Sequence, residues 1–175
     1  TKYDPDGDYL WTRTIGGINN DRGMGITTDS TGNVFVEGRL AAEGTNVNFN
    51  TTGTGPADLK SGANENGTFL MKYNADGSYG WTKLIPTGYF FDFSSDVKTD
   101  TSGNIYMIGS FVASSVDFNA SGSGSPDVKT NNGDIDIYIT KYMANGTYGW
   151  TRTIGGIDND MAQGMSIDLD GSIYM

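Results

Sequence analysis

Chemistry in this chain has to come from carboxylates, hydroxyls, amines and aromatic rings, because its 175 residues include no His and no Cys. A Ser-His-Asp triad, a cysteine nucleophile and the usual zinc site are thereby excluded. No Gly-rich phosphate loop leads into a helical pattern either. Paired acids could still hydrolyse glycosides, one as general acid and the other as base or nucleophile. Such a pair occupies one place in a molecule, so the acids of interest are those that do not recur. Asp29, Asp100 and Asp168 share one recurring turn, and Asp21 and Asp160 share another. Among the glutamates, Glu43 and Glu65 fall in loops, whereas Glu37 stands where the next copy has Ile108. Glu37 is the candidate catalytic acid; the pattern favours a solvated or inter-sheet role for it, and no residue is assigned to catalysis.

Carboxylates also hold calcium, which takes about six to eight oxygen ligands. Asp4-Pro5-Asp6-Gly7-Asp8 lacks the Gly spacing and distal Glu of an EF-hand loop, and its copies NADGS (74–78) and MANGT (143–147) lose all its acids but Asp76. It reads as a turn. A better set is Asp117, Asn119, Asp134 and Asp136 at the two ends of a long loop, with Asn48, Asn50, Glu65 and Asn66 in the other copy. Loop-capping hydrogen bonds are the favoured reading there and calcium the alternative; no metal and no cofactor is assigned.

A third constellation is aromatic. Tyr9, Trp11 and Arg13 recur as Tyr79, Trp81 and Lys83, and again as Tyr148, Trp150 and Arg152. Strand alternation puts each triplet on one face. Rings of this kind stack on sugars, with a cation able to reach hydroxyls or carboxylates. Since every copy carries the set, packing between neighbouring sheets, with the cation's stem over the ring, is preferred.

These triplets lie in three copies of one motif: KYDPDGDYLWTRTIGG from Lys2, KYNADGSYGWTKLIPTG from Lys72 and KYMANGTYGWTRTIGG from Lys141. Trp11, Trp81 and Trp150 are 70 and then 69 residues apart, a period that marks a repeat architecture. Each period holds four strand candidates rich in β-branched and aromatic residues. The first are 23–29, 95–100 and 164–168; the second 33–40, 104–111 and 172–175; the third 68–74, 136–143 and the stub 1–3; the fourth 79–85, 9–15 and 148–154. Turns with Gly32, Gly103 and Gly171 join first to second, and turns with Gly7, Gly77 and Gly146 join third to fourth, each with an Asp or Asn to bond the turn amides. Between second and third lies a long polar loop, 44–67 and 112–133, whose recurring Phe49 and Phe118 predict that it folds back and packs.

Four-stranded sheets that cannot bury both faces alone stack radially, so the expected fold is an all-β propeller built from four-stranded antiparallel blades of about 70 residues. The phasing gives a half-blade 1–17, blades 18–87 and 88–156, and a half-blade 157–175. That is too little for a ring of about four to eight blades, so a longer chain or an oligomeric ring is expected, with self-association through open blade edges. The segment Tyr89–Phe93 replaces the GGI-N/D-ND motif of the other copies and reads as a blade-specific contact surface or a repacked loop.

The net charge is −10, and all but three of the 21 acids are Asp. This balance argues against nucleic acid and against an anionic membrane surface; no apolar run is long enough for membrane insertion. The 26 glycines suit a chain of tight turns.

The turn-and-strand sequences 29–35 and 100–106, DIYITKYMANG (136–146 with its flank), GWTRTIGG and the VDFN at 116–119 together resemble the bacterial SBBP β-propeller repeat, and more loosely the NHL-type propeller repeats. Asn119 departs from the family's V-D-F-D-P-G loop, and no Pro follows. The resemblance implies a module of a secreted or cell-surface protein, with no shared catalytic residues. The reading is therefore a non-catalytic structural or binding module that presents long polar loops on one rim to a protein or glycan partner. Its alternatives are a carbohydrate-binding propeller and a carboxylate glycoside hydrolase.

Overall fold

Every regular element in the computed structural model is a strand, and the model describes residues 1–41, 46–61, 67–88, 96–120 and 122–175. In chain order, β1 (Lys2–Tyr3) pairs with β2 (Tyr9–Trp11). Next, β3 (Arg22–Thr28), β4 (Val34–Leu40), β7 (Gly67–Tyr73) and β8 (Tyr79–Ile85) form a four-stranded antiparallel sheet in that order. The second sheet repeats it with β9 (Asp96–Thr99), β10 (Ile105–Phe111), β13 (Asp136–Tyr142) and β14 (Tyr148–Ile154). Finally, β15 (Ser166–Ile167) pairs with β16 (Ile173–Tyr174). Two whole meanders with a half at each end is the phasing that the 70-residue repeat predicts.

The turns form for the expected reasons. Gly32, Gly77, Gly103 and Gly146 have φ of 82°, 81°, 78° and 84°, a region that costs a side-chain-bearing residue about 1–2 kcal/mol. Beside them, the carboxylate of Asp29 accepts the amides of Thr31 and Asn33, and that of Asp100 accepts those of Ser102 and Asn104.

The long loops are not loops throughout. Each contains its own two-stranded hairpin: β5 (Asn46–Asn48) with β6 (Leu59–Ser61), and β11 (Ser115–Asp117) with β12 (Val128–Thr130). They fold back as their aromatics predict. Phe49 is fully buried with its ring 5.2 Å from Phe69, and Phe118 lies 5.0 Å from the Tyr138 ring. Burying such a side chain stabilises by about 1.5–3 kcal/mol.

The first strands of successive sheets run beside one another: β3 lies against β9, and β9 against β15. Thr99 donates its hydroxyl to the Thr28 carbonyl (2.8 Å), and the Met165 amide donates to Asp96 (3.2 Å). The main core is shared between sheets. Phe35, Leu70 and Ile85 of the first pack with Val97, Ile105, Met107, Tyr138 and Tyr142 of the second. A smaller cluster joins Trp11 and Ile15 to the first sheet, and another joins Trp150 to Met165 and Ile173.

Candidate binding face

Each fourth strand carries one residue more than its partner. Lys72 faces Trp81 while Tyr73 faces Tyr79, so Gly80 is left over in a β-bulge; Gly149 occupies the same position between Tyr148 and Trp150. A bulge reverses the alternation beyond it. The expectation that each Tyr and Trp share a face is therefore corrected: they point to opposite faces. Trp81 enters the core between the two sheets, where Tyr148 of the second sheet also packs. Tyr79 joins the cluster on the other side, with Trp11. The first two interfaces between neighbours thus each receive a Trp from one sheet and a Tyr from the next.

The tryptophans are built into these interfaces. Trp81 lies 6.1 Å from Phe35 of its own sheet and 6.5 Å from Tyr142 of the next. Trp11 lies 5.9 Å from Tyr73. Each ring also rests on the turn glycine of the following sheet: a Cβ on Gly77 would come within 2.9 Å of Trp11, and one on Gly146 within 2.7 Å of Trp81. The cations lie over the rings as expected, with Arg13 at 5.5 Å, Lys83 at 5.7 Å and Arg152 at 5.6 Å from the indole centroids. Packing, the preferred reading of the aromatic set, accounts for most of each ring.

Outside these interfaces, the inserted hairpin reaches the outermost strand of its own sheet. Asp58 accepts the Tyr79 hydroxyl and the Lys60 ammonium (2.7 Å), and Tyr79 also bonds Thr82 (2.9 Å). The second sheet repeats this with Asp127, Tyr148, Lys129 and Thr151, and there Asp127 also accepts the Thr151 amide (3.3 Å). A carboxylate on an open strand edge satisfies an amide that would otherwise invite another strand. Burial acts to raise the Asp127 carboxyl, but the hydrogen bonds from Lys129 and Tyr148 and the Lys129 charge outweigh it and hold it below the usual carboxylate range. Burial, then the bond to the acid, pushes both Tyr79 and Tyr148 well above the ordinary phenol value. Nothing in the sequence pairs Asp58 with Tyr79, 21 residues away; their joint recurrence at Asp127 and Tyr148 was the available signal.

Between hairpin and strand edge the first sheet holds a half-open cleft of about 680 Å3, with Asp58, Lys60, Ser78, Trp81 and Lys83 in its walls. Its exposed roof runs from Thr54 to Ala57.

The other candidates fall elsewhere. Glu37 is completely buried, with Tyr138 and the backbone of Gly25 nearby. It is an inter-sheet acid, and a catalytic carboxylate must reach substrate and water. Asp117, Asp134 and Asp136 do not come together as one acidic group: among the described residues no three acidic side chains converge. Asp117 instead accepts the amides of Asn119 and Asp127 (both 2.9 Å), and Asn119 donates to the Ser125 carbonyl (2.9 Å). Asn48 and Asn50 repeat the pattern, with Asn50 donating to the carbonyls of Thr54 and Pro56 (both 2.8 Å). Asp136 is buried and accepts the Asn132 amide, while Asp134 is exposed. The Asp4 carboxylate accepts the amides of Asp6 and Asp8, as a turn acid does. Glu43, Glu65, Asn66 and the segment Tyr89–Phe93 lie outside the described residues.

Comparison with known proteins adds an architectural likeness. The chain is similar to an uncharacterized WD repeat-containing protein, L264, of Acanthamoeba polyphaga mimivirus, at 27% identity over 186 residues that take in 97% of this chain. WD repeats are propeller blades of four strands. The fold is a β-propeller. Here it comprises two whole blades and a half-blade at each end, without closing into a ring. The chain spans 13% of the length of that relative. No protein-family model matches the sequence. A WD blade takes about 40–45 residues; the longer period here is filled by the segment 41–66, which contains the hairpin that walls the cleft.

Proposed function

We propose that this propeller segment is a non-catalytic binding or scaffold module of the SBBP type, belonging to a secreted or cell-surface bacterial protein. It presents the inserted hairpins to a protein or glycan partner. The observation that carries this reading is the division of labour within each hairpin. Val47, Phe49, Val116 and Phe118 anchor it to the blade, while Leu59 and Val128 on the opposite side are 55% and 54% exposed at equivalent positions. Both hairpins leave the blades at the same end, where β4 passes to β7 and β10 to β13, so a partner can span two of them. Scaffold blades need rigidity and an exposed, variable surface, and the interlocked tryptophans and the hairpin faces supply these separately.

Two assays on the 175-residue chain test this. On immobilised extracellular glycans and proteins, wild type is expected to bind, and Leu59→Glu with Val128→Glu is expected to abolish binding with an unchanged melting temperature. On soluble polysaccharides, wild type and Glu37→Gln are expected to release no reducing ends. Turnover that Glu37→Gln abolishes, or binding indifferent to the hairpin substitutions, would refute the reading.

A further inference from the structure

The three cations that overlie tryptophans are not equivalent. Arg13 donates to the Gly77 carbonyl (2.9 Å) and to the Thr12 carbonyl (2.9 Å), and Arg152 donates to the Thr151 carbonyl (3.3 Å). Lys83 has no oxygen partner among the described residues; its ammonium meets the Trp81 ring and the cleft. The second amine of the cleft, Lys60, shares Asp58 with the Tyr79 hydroxyl. The walls therefore hold two ammonium groups against one carboxylate, in a protein whose net charge is −10. Burial, and then the Lys60 charge, lower the Lys83 ammonium from its ordinary value, while Asp58 offsets this in part. A half-buried cation without a counter-ion is relieved by an anion that enters beside it. The volume lies within the range of about 300–1,000 Å3 usual for small-molecule sites.

We propose that this cleft binds an acidic saccharide, its carboxylate or sulfate held between Lys60 and Lys83, its hydroxyls donating to the Ser78 oxygen and the Asp58 carboxylate, and its ring against the part of Trp81 left uncovered by the next blade. The oxyanion follows from the unmatched ammonium. The polyhydroxylated body follows from a wall that mixes donors and acceptors with one indole. The site deepens the binding-module reading, and it lies at the strand edge rather than on the outer hairpin face.

Three tryptophans give three indole N–H resonances, so the site can be read directly by two-dimensional NMR. Titration with sodium glucuronate is expected to move the Trp81 resonance saturably, with those of Trp11 and Trp150 unmoved. Glucose should need at least tenfold higher concentration, and sulfate alone should shift the resonance less than glucuronate does. Lys83→Gln should weaken glucuronate binding tenfold or more, whereas Lys83→Arg should retain it; the unmoved indoles report that the fold is intact. Equal binding of glucose, equal binding of inorganic sulfate, a response spread over all three indoles, or wild-type affinity in Lys83→Gln would each overturn the site. If the site fails while Leu59→Glu with Val128→Glu still abolishes partner binding, the module reading survives; failure of both removes it.

Discussion

At the scale of single residues, one backbone position carries two constraints. Gly7, Gly77 and Gly146 occupy the same turn, with φ of 89°, 81° and 84°. Around Gly7 a Cβ would meet open space, whereas at Gly77 and Gly146 it would meet an indole of the preceding blade. Gly7→Ala should therefore lose only the backbone preference, about 1–2 kcal/mol. Gly146→Ala should lose about 1–3 kcal/mol more, because the Trp81 ring must move out of a packed layer. Urea unfolding of the two variants checks the difference; equal losses would mean that the ring does not rest on the turn. The sequence shows that these glycines recur, but not that they touch tryptophans some 65 residues away, since that contact belongs to the stacking of blades.

At the scale of elements, the strands and turns were legible and the bulge was not. The repeat placed most strands within a residue or two, because alternation and turn glycines act locally. The exceptions are the terminal pairs: the first copy of the fourth strand ends at Trp11 instead of Ile15, and β15 covers only Ser166–Ile167. Their partners, β1 and β16, are themselves two residues long, so few ladder bonds extend them. The bulge at Gly80 and Gly149 has no signature in the pattern, because unbroken alternation is the default for a strand, and one extra residue sends Tyr and Trp to opposite faces. The hairpins inside the long loops were legible only as buried aromatics, since strands of three residues leave too short a pattern.

The acids that hold these elements set a pH dependence. Burial acts to raise Asp29, Asp100 and Asp127. The side-chain and backbone bonds they accept prevail, however, and all three lie below the usual carboxylate range in the folded chain. The unfolded chain then binds protons more readily, so their contribution is complete above about pH 4 and fades as the pH falls through the lowered values. Asp127→Asn should flatten the acid limb of a stability-against-pH curve while leaving the limb above pH 7 parallel to wild type. A curve of unchanged slope below about pH 4 would show that the edge-strand network contributes nothing to acid sensitivity.

At the scale of the molecule, repetition alone pointed to the propeller, because a four-stranded sheet with apolar residues on both faces needs neighbours on both sides. What repetition could not supply was the identity of the exposed chemistry. Lys83, Arg13 and Arg152 are interchangeable in the pattern, and only the fold distinguishes a cation bonded to carbonyls from one facing an open cleft. Glu37 shows the converse: it does not recur in the next copy, yet it lies in the closed layer between blades.

The central claim is that neighbouring blades share one core and stand as a rigid frame for the hairpins. Hydrogen–deuterium exchange on Trp81→Ala tests it most directly, since Trp81 belongs to one blade and packs into the next. The account predicts faster exchange on both sides of the boundary, in β7 and β8 and equally in β9, β10 and β13. Faster exchange confined to β7 and β8, with the second blade protected as in wild type, would contradict it.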